Sequence, residues 1–225
     1  MAKRQELKKP GKGLFMTILP IRIFPDPILR QKTEEIKEIN KELIDFGFNM
    51  LETMQAARGI GLAAPQVGKL VKLITIQIPE NEPMIMFNPK VEKSFGKRNV
   101  EEGCLSVPGF TGIIERSVTI DASYLDQNKS KIKLTASELL SQAIEHEIDH
   151  LNGIVYLDHL KSHEDLHKSG ITPNDIHWHD VGYKIFINKA KASSQDKIID
   201  EVIDKKIELS KIKSDSSIDE ASVDI

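Results

Sequence analysis

The stretch ELLSQAIEHEIDHL, residues 138–151, predicts the helix around which we expect the rest of the chain to be arranged. Its apolar residues recur at helical spacing. Thr135 or Ser137 can cap the start of this helix, and Asn152-Gly153 follows its end, where a glycine is common. We therefore expect a helix over about residues 138–151.

This predicted helix carries the motif His146-Glu147-Ile148-Asp149-His150. Positions i and i+4 share one helix face, so both imidazoles can bind one metal ion. Glu147 can approach the outer side of a water molecule on that metal and can take and return its proton. Two histidines beside a carboxylate also occur by chance on polar helix faces, so this motif alone does not define a site.

A third metal ligand has to come from elsewhere in the chain, because hydrolytic zinc or iron sites generally use three protein ligands and leave one position for water. His159 and His163 lie downstream, but they offer only a loose match to the third ligand of the usual zinc-peptidase pattern. Cys104, the only cysteine, lies within EEGCLS, residues 101–106. A thiolate combined with imidazoles suits zinc or iron(II). The alternative for Cys104 is a small residue buried in the core.

A third unusual stretch is GIGLAAPQ, residues 59–66. Its glycines and alanines lack bulk, so another backbone or a ligand can come close to it. The stretch is not a phosphate-binding loop, because it lacks the Gly-Lys-Ser/Thr ending. Gln66 can donate a hydrogen bond from its amide, or it can be an ordinary exposed turn residue.

The remaining segments predict one further helix and several strands. Apolar residues at helical spacing favour a helix over about residues 41–57, ended by Arg58-Gly59. Short segments rich in β-branched or apolar residues favour strands over residues 71–78, 84–87, 117–125 and 131–134.

Composition divides the chain into three regions and excludes some classes of protein. Residues 1–15 predict a basic extension, residues 16–160 predict the folded domain, and residues 161–225 are a polar extension. The basic start and the apolar residues 14–19 resemble a signal peptide, but Pro20 and Arg22 interrupt the apolar run and no small-residue cleavage site follows, so an organelle address is the weaker alternative. Within that extension, residues 195–213 predict an amphipathic helix and residues 214–225 predict disorder.

The net charge of −3 gives no overall field that favours nucleic acid or acidic lipid, and we expect neither as a partner. No segment is long and apolar enough to predict a membrane span. A single cysteine cannot form an internal disulfide, which favours a reducing compartment, so we expect a cytoplasmic protein.

The three motifs together resemble those of the peptide deformylases. That family has a Gly-x-Gly-x-Ala-Ala-x-Gln segment, a Glu-Gly-Cys-Leu-Ser segment and a His-Glu-x-x-His helix in this order, and all three are present here. Pro25-Asp26-Pro27 near the start and Asn152-Gly153 after the helix match as well. The resemblance covers about residues 16–160 and implies an α+β fold, in which antiparallel sheets surround a central helix bearing the histidines, with an N-terminal helix packed outside.

The resemblance also implies an activity: removal of the formyl group from the N-terminal methionine of newly synthesised polypeptides. Cys104, His146 and His150 would hold one divalent metal, iron(II) in most bacterial members, with zinc, nickel or cobalt as other occupants. Glu147 would transfer the proton of the attacking water to the departing amine. The Gln66 side chain and the Leu105 backbone N–H would stabilise the negative charge that develops on the formyl oxygen.

The substrate would be a formylmethionyl nascent peptide that lies along the motifs like an added strand. Six residues are candidates for contact with it: Ile60, Gly61, Glu102, Gly103, Leu139 and Ala143. Ile60, Leu139 and Ala143 would form the methionine pocket, and the small Gly61 and Gly103 would admit the formyl end. From its position, Glu102 could also pair with Arg116 and hold the cysteine loop.

Other interpretations stay open from the sequence alone. The chain could be another type of zinc peptidase, a non-catalytic protein with a structural metal site, or a Cys–His nucleophilic hydrolase. Glu145 departs from the Gln that is common in the family and adds negative charge beside His146. The stretch 195–213 could dock on the ribosome, as a C-terminal helix does in some deformylases, although an ordinary solvated helix fits its mixed charges better.

Overall fold

The structure, a computed structural model, describes residues 17–169, which form an α+β fold of antiparallel sheets and helices. The α-helices are α1, Lys41–Ala56, and α2, Glu138–Leu151. The strands are β1, Gly61–Ala63; β2, Leu73–Ile76; β3, Met84–Phe95; β4, Arg98–Cys104; β5, Val107–Arg116; β6, Thr119–Leu125; β7, Lys131–Ser137; and β8, Leu166–Lys168. Among these residues, no helix is long and apolar enough to cross a membrane.

Two antiparallel sheets form the framework. The larger sheet has the strand order β1-β2-β3-β6-β7, and the smaller one has the order β4-β5-β8. β1 and β4 are edge strands of their sheets, and they carry Gly61 and Cys104 respectively. Part of each sequence motif outside α2 therefore lies on a strand that is at the edge of its sheet within residues 17–169, where a further strand can pair.

The larger sheet is covered by a helix on each face. Leu73, Ile85 and Phe87 pack in one apolar cluster with Met50 and Met54 of α1. The alternate positions on β2 and β3 point the other way, so Ile74, Ile76 and Met86 pack in a second cluster with Ala143 and Ile144 of α2. The sequence of β2 is a continuous apolar run apart from Thr75, which suits a strand that is buried on both faces.

The observed bounds of α1 and α2 confirm the helices that the sequence predicted over about residues 41–57 and 138–151. Asn40 caps α1 through a 3.0 Å hydrogen bond from the Leu43 backbone N–H to its side chain. Ser137 occupies the N-cap position of α2 but makes no side-chain capping hydrogen bond. The placement of α1 outside and α2 at the centre also agrees with the expected architecture.

The strands show more differences. β3 continues to Phe95, well past the predicted end at residue 87, and the hairpin of β4 and β5 was not predicted at all. β4 carries two glutamates and a glycine, so it lacks the apolar alternation that marks a strand. β8 pairs with β5 at Leu166, His167 and Lys168, and these residues follow residue 160, where the sequence analysis placed the end of the folded domain. The predictions for residues 1–15, 195–213 and 214–225 lie outside the described residues.

Candidate metal centre and cleft

Cys104, His146 and His150 come together in space although 42 residues separate Cys104 from the first histidine. One potential ligand atom from each side chain lies within 4.8 Å of the other two. The Cys104 Sγ is 3.2 Å from Nε2 of His150. Within residues 17–169 this is the one cluster of at least three such residues with the spacing of a metal site.

Local structure explains how each ligand reaches the centre. His146 and His150 are one helical turn apart on the buried face of α2. Cys104 ends β4, where the pairing register with β5 shifts after Gly103. Such an irregularity redirects a side chain out of the regular pleat. The Ser106 backbone N–H donates to the Cys104 Sγ at 3.3 Å and holds the sulfur in place.

The residues present fit a divalent metal by their chemistry. One thiolate and two imidazoles suit zinc or iron(II). A structural site usually has four protein ligands, whereas a catalytic site has three and keeps a position open. The three ligands in the described part of the chain therefore favour a catalytic centre over the structural site considered above.

A buried ion network supports His146 from behind. Nδ1 of His146 contacts a carboxylate oxygen of Glu102, which leaves the other ring nitrogen for a metal. Arg116 donates two hydrogen bonds to Glu102, at 3.0 and 2.8 Å, and a third to Asp149 at 2.6 Å. Asp149 in turn lies 2.7 Å from Nε2 of His159. The network fixes the orientation of His146.

The pair of Glu102 and Arg116 is therefore as inferred from the sequence, but Asp149 and His159 were missed. Asp149 lies inside the histidine motif, so its position on α2 was the available signal. Glu145, the departure from the family pattern, points away from the centre. Its carboxylate accepts hydrogen bonds from the Ser117 backbone at 2.9 Å and from the Ser117 hydroxyl at 2.7 Å.

The pKa values of the buried groups follow from this arrangement. Burial raises the pKa of Glu102, but His146 and Arg116 outweigh that effect and lower it to about 2. Burial raises the pKa of Glu147 to about 7, with His146 acting in the opposite direction. Burial and the proximity of His146 lower the pKa of His150. These are the properties of the side chains alone, and a bound cation further favours deprotonated ligands.

Glu147 lies against β1 and is 3% exposed. A Cβ on Gly61 would sit only 2.8 Å from the carboxyl carbon of Glu147, so no larger residue fits at position 61 without displacing that carboxylate. Among residues 17–169, the buried Oε2 of Glu147 finds no hydrogen-bond partner. A buried carboxylate oxygen in this state is suited to bind a water molecule or a substrate proton.

Gln66 is buried beside the cysteine rather than exposed in a turn. Its side-chain oxygen accepts from the Ala63 backbone N–H at 2.8 Å, which directs the amide nitrogen towards Ser106 Oγ at 3.1 Å and Cys104 Sγ at 3.5 Å. Leu105 follows Cys104 directly, and its side chain packs against Gly59. Gln66 and Leu105 are therefore both adjacent to the thiol ligand.

A cleft of about 670 Å³ opens onto this centre. Cys104, His146 and Glu147 line it, together with all six residues that the sequence suggested for substrate contact: Ile60, Gly61, Glu102, Gly103, Leu139 and Ala143. Ile60 and Leu139 are partly exposed apolar side chains on its walls. The cleft also contains Arg58 and Phe110, which the sequence analysis did not select.

Comparisons with known proteins agree with this geometry. The family model for polypeptide deformylases matches residues 18–165. A peptide deformylase of Dehalococcoides mccartyi is 39% identical over 161 residues, which are 71% of this chain and 95% of that protein. A peptide deformylase of Thermodesulfovibrio yellowstonii is 45% identical over 147 residues, 64% of this chain and 89% of that one.

Solved structures show the same relationship. The crystal structure of a peptide deformylase from Synechococcus elongatus in complex with actinonin has a TM-score of 0.63 and 38% identity, and the match covers 72% of this chain and 85% of that one. A peptide deformylase from Legionella pneumophila has a TM-score of 0.63 and 35% identity over 66% of this chain and 89% of that one. The chain belongs to the peptide deformylase family of metal-dependent hydrolases.

Proposed function

We propose that Cys104, His146 and His150 hold the metal with which this enzyme works and that Glu147 moves the protons. As a deformylase, the protein removes the formyl group from the N-terminal methionine of newly synthesised polypeptides. The convergence of one sulfur and two imidazoles beside a buried carboxylate, at the base of an open cleft, carries the assignment.

The preferred metal is iron(II), and the thiolate and imidazole set supports it, although the same ligands suit zinc. When bound, the metal acts as a Lewis acid that lowers the pKa of water and polarises the formyl carbonyl. The residues of the chain transfer the protons, stabilise the oxyanion and bind the peptide.

Glu147 accepts a proton from the attacking water as its oxygen bonds to the formyl carbon. It then donates that proton to the amine nitrogen of methionine as the carbon–nitrogen bond breaks and formate leaves. The unpartnered, buried Oε2 of Glu147 supports this role. Gly61 lets the Glu147 carboxylate lie directly against β1, because any side chain at position 61 would displace it.

Gln66 and Leu105 stabilise the developing oxyanion. The Gln66 amide nitrogen is held near Cys104 by two fixed contacts, so it needs little reorganisation during the reaction. The Leu105 backbone N–H is the second donor. Each such donor contributes roughly a hundredfold or more in rate.

The cleft walls select and align the peptide. Ile60, Leu139 and Ala143 offer apolar surface for the methionine side chain. The open edges of β1 and β4, with Gly61 and Gly103, accept the peptide backbone as an added strand. Glu102 lines the cleft as well, but its carboxylate is engaged by Arg116 and His146, so we assign it to positioning His146.

The catalytic unit in this proposal is the folded part of the chain, with residues 1–15 and the polar region after it as appendages. The substrates arise at the ribosome, so we propose a cytoplasmic site of action. Ribosome docking through residues 195–213 stays a prediction, because that stretch lies outside the described residues.

An anaerobic assay of formyl-Met-Ala-Ser hydrolysis tests the function. The purified protein is stripped with a chelator and reloaded separately with iron(II), nickel or zinc, and released formate is measured. Air is excluded because iron(II) beside a thiolate is oxidisable. We expect no turnover after stripping and recovery on reloading. Full turnover by metal-free protein contradicts the proposal. So does the absence of turnover with all three metals.

A further inference from the structure

One cation at the mouth of the cleft has no role in the proposal above. Arg58 lines the cleft and is exposed, and within residues 17–169 its guanidinium makes no ion pair. The other ionisable groups that line the cleft are Cys104, His146 and the carboxylates of Glu101, Glu102 and Glu147. Of these carboxylates only that of Glu101 is exposed, and it accepts a 2.8 Å hydrogen bond from the Thr111 hydroxyl.

The backbone holds Arg58 firmly at the end of α1. Its N–H donates to the Gln55 carbonyl at 3.0 Å, and the next N–H, of Gly59, donates to the Met54 carbonyl at 2.9 Å. Arg58 has a φ of 55°, in the left-handed region where glycine would be less strained. The guanidinium therefore extends from a fixed point, and the carbonyl end of α1 favours a positive charge there.

The position of Arg58 along the cleft can be related to the substrate. Gly61 lies against Glu147, so the formyl end of the peptide is at Gly61. Arg58 precedes Gly61 by three residues, a span of at most about 10 Å. An extended peptide advances about 3.3 Å per residue. A peptide whose formyl group is at Gly61 and whose backbone runs towards Arg58 therefore reaches Arg58 by its third residue.

We propose that Arg58 selects substrates by charge and favours formylmethionyl peptides with an acidic side chain at the third residue. This inference rests on the proposed function of the cleft. It concerns only the side chain of the substrate and leaves the reacting groups unchanged. A partly exposed ion pair supports a preference of roughly twofold to fivefold.

The test compares three peptides, formyl-Met-Ala-Glu-amide, formyl-Met-Ala-Gln-amide and formyl-Met-Ala-Lys-amide, with the metal-loaded full chain. The amide removes the terminal carboxylate, which would otherwise mimic an acidic side chain. The quantity measured is the ratio of kcat/KM for the Glu peptide to that for the Lys peptide. Arg58→Gln is compared with Lys133→Gln, which removes the same charge from an exposed position on β7 outside the cleft.

We expect the ratio to exceed one in the wild-type enzyme, to fall in Arg58→Gln, to stay unchanged in Lys133→Gln, and to decline as salt is raised. A ratio that Arg58→Gln leaves at its wild-type value, or that Lys133→Gln lowers equally, overturns the inference. The Gln peptide separates this result from a failure of the proposed function. If every variant hydrolyses the Gln peptide as the wild type does, the deformylase assignment stands whatever Arg58 contributes.

Discussion

The helices α1 and α2 pack on opposite faces of one sheet, yet they bury different chemistry. α1 contributes Phe48, Met50, Leu51 and Met54 to an apolar cluster. α2 buries His146, Glu147 and His150 beside its apolar residues. Burial of apolar side chains stabilises the fold, whereas burial of ionisable groups costs free energy unless they are paired. Stability and chemistry are thus placed on separate helices.

This comparison predicts that substitutions on or around α2 change activity, while those within α1 change stability. The ion network of Glu102, Arg116 and Asp149 affects both activity and stability. It offsets the free-energy cost of burying charge, and it orients His146.

Glu147→Gln has the largest expected effect on turnover. The amide fills the same space but cannot accept the proton, so we expect kcat for formyl-Met-Ala-Ser to fall by about 10² to 10⁴. Metal content, measured on the purified protein, stays at the wild-type level because Glu147 is not a ligand in the proposal. A variant with nearly normal kcat would remove Glu147 from the mechanism.

Gly61→Ala comes next. The added methyl meets the Glu147 carboxyl group, whose carbon would lie 2.8 Å from it, and a displacement of about 1 Å at a reacting group can cost roughly a hundredfold in rate. Gly103→Ala is the matched control, since its methyl would lie 3.4 Å from Thr111 in ordinary contact. Equal losses of kcat in both variants would mean that narrowing of the cleft, and not displacement of Glu147, is responsible.

Arg116→Ala tests whether the ion network supports both the stability of the fold and the binding of metal. Removing the cation leaves Glu102 and Asp149 buried without it, which destabilises the fold by about 3–5 kcal/mol. Loss of the support behind His146 should also weaken metal affinity by about 10- to 100-fold. Competition with a chromogenic chelator measures the affinity, and urea unfolding measures the stability.

Arg98→Ala is the control for Arg116→Ala. Arg98 lies opposite Arg116 in the strand register of the β4–β5 hairpin, but its guanidinium forms an ion pair with the exposed Glu138 at 3.2 Å and not with the metal centre. We expect little change in metal affinity for this variant. If Arg116→Ala keeps wild-type metal affinity and activity, Glu102 positions His146 without help from Arg116.

The sequence predicted the two helices more accurately than the sheets, for physical reasons. Helical spacing and the fixed i, i+4 geometry are local, so His146, His150 and the bounds of α2 follow from neighbouring residues. The β4–β5 hairpin depends on pairing between strands whose own sequences are charged or glycine-rich, such as Glu101, Glu102 and Gly103. That pairing is a tertiary property.

The same distinction applies within the site. The position of Cys104 beside His150 followed from the family resemblance and not from any local pattern. The contribution of Asp149 and His159 to the ion network requires α2, β5 and the turn after α2 to meet, and no short motif encodes that meeting. Arg58 was assigned only to the end of α1, because a sequence does not show which face of a turn borders a cleft.

Met54→Ala has the smallest expected effect on turnover. It tests the stabilising role of α1, to be compared with the chemical role of α2. Met54 is fully buried in the α1 cluster, with its sulfur 3.8 Å from the Thr75 hydroxyl. Truncation removes apolar contacts and leaves a cavity, which costs about 2–5 kcal/mol in the free energy of unfolding. Urea unfolding of the metal-loaded protein measures this loss, and Gln55→Ala, on the exposed side of α1, should change the free energy of unfolding little.

The kcat per folded molecule of Met54→Ala should equal that of the wild type, because the apolar cluster contains no group that reacts. A fall in kcat without loss of folded protein would show that α1 does more than stabilise, since its packing would then be needed to hold Gly59 and Gly61 at the cleft wall.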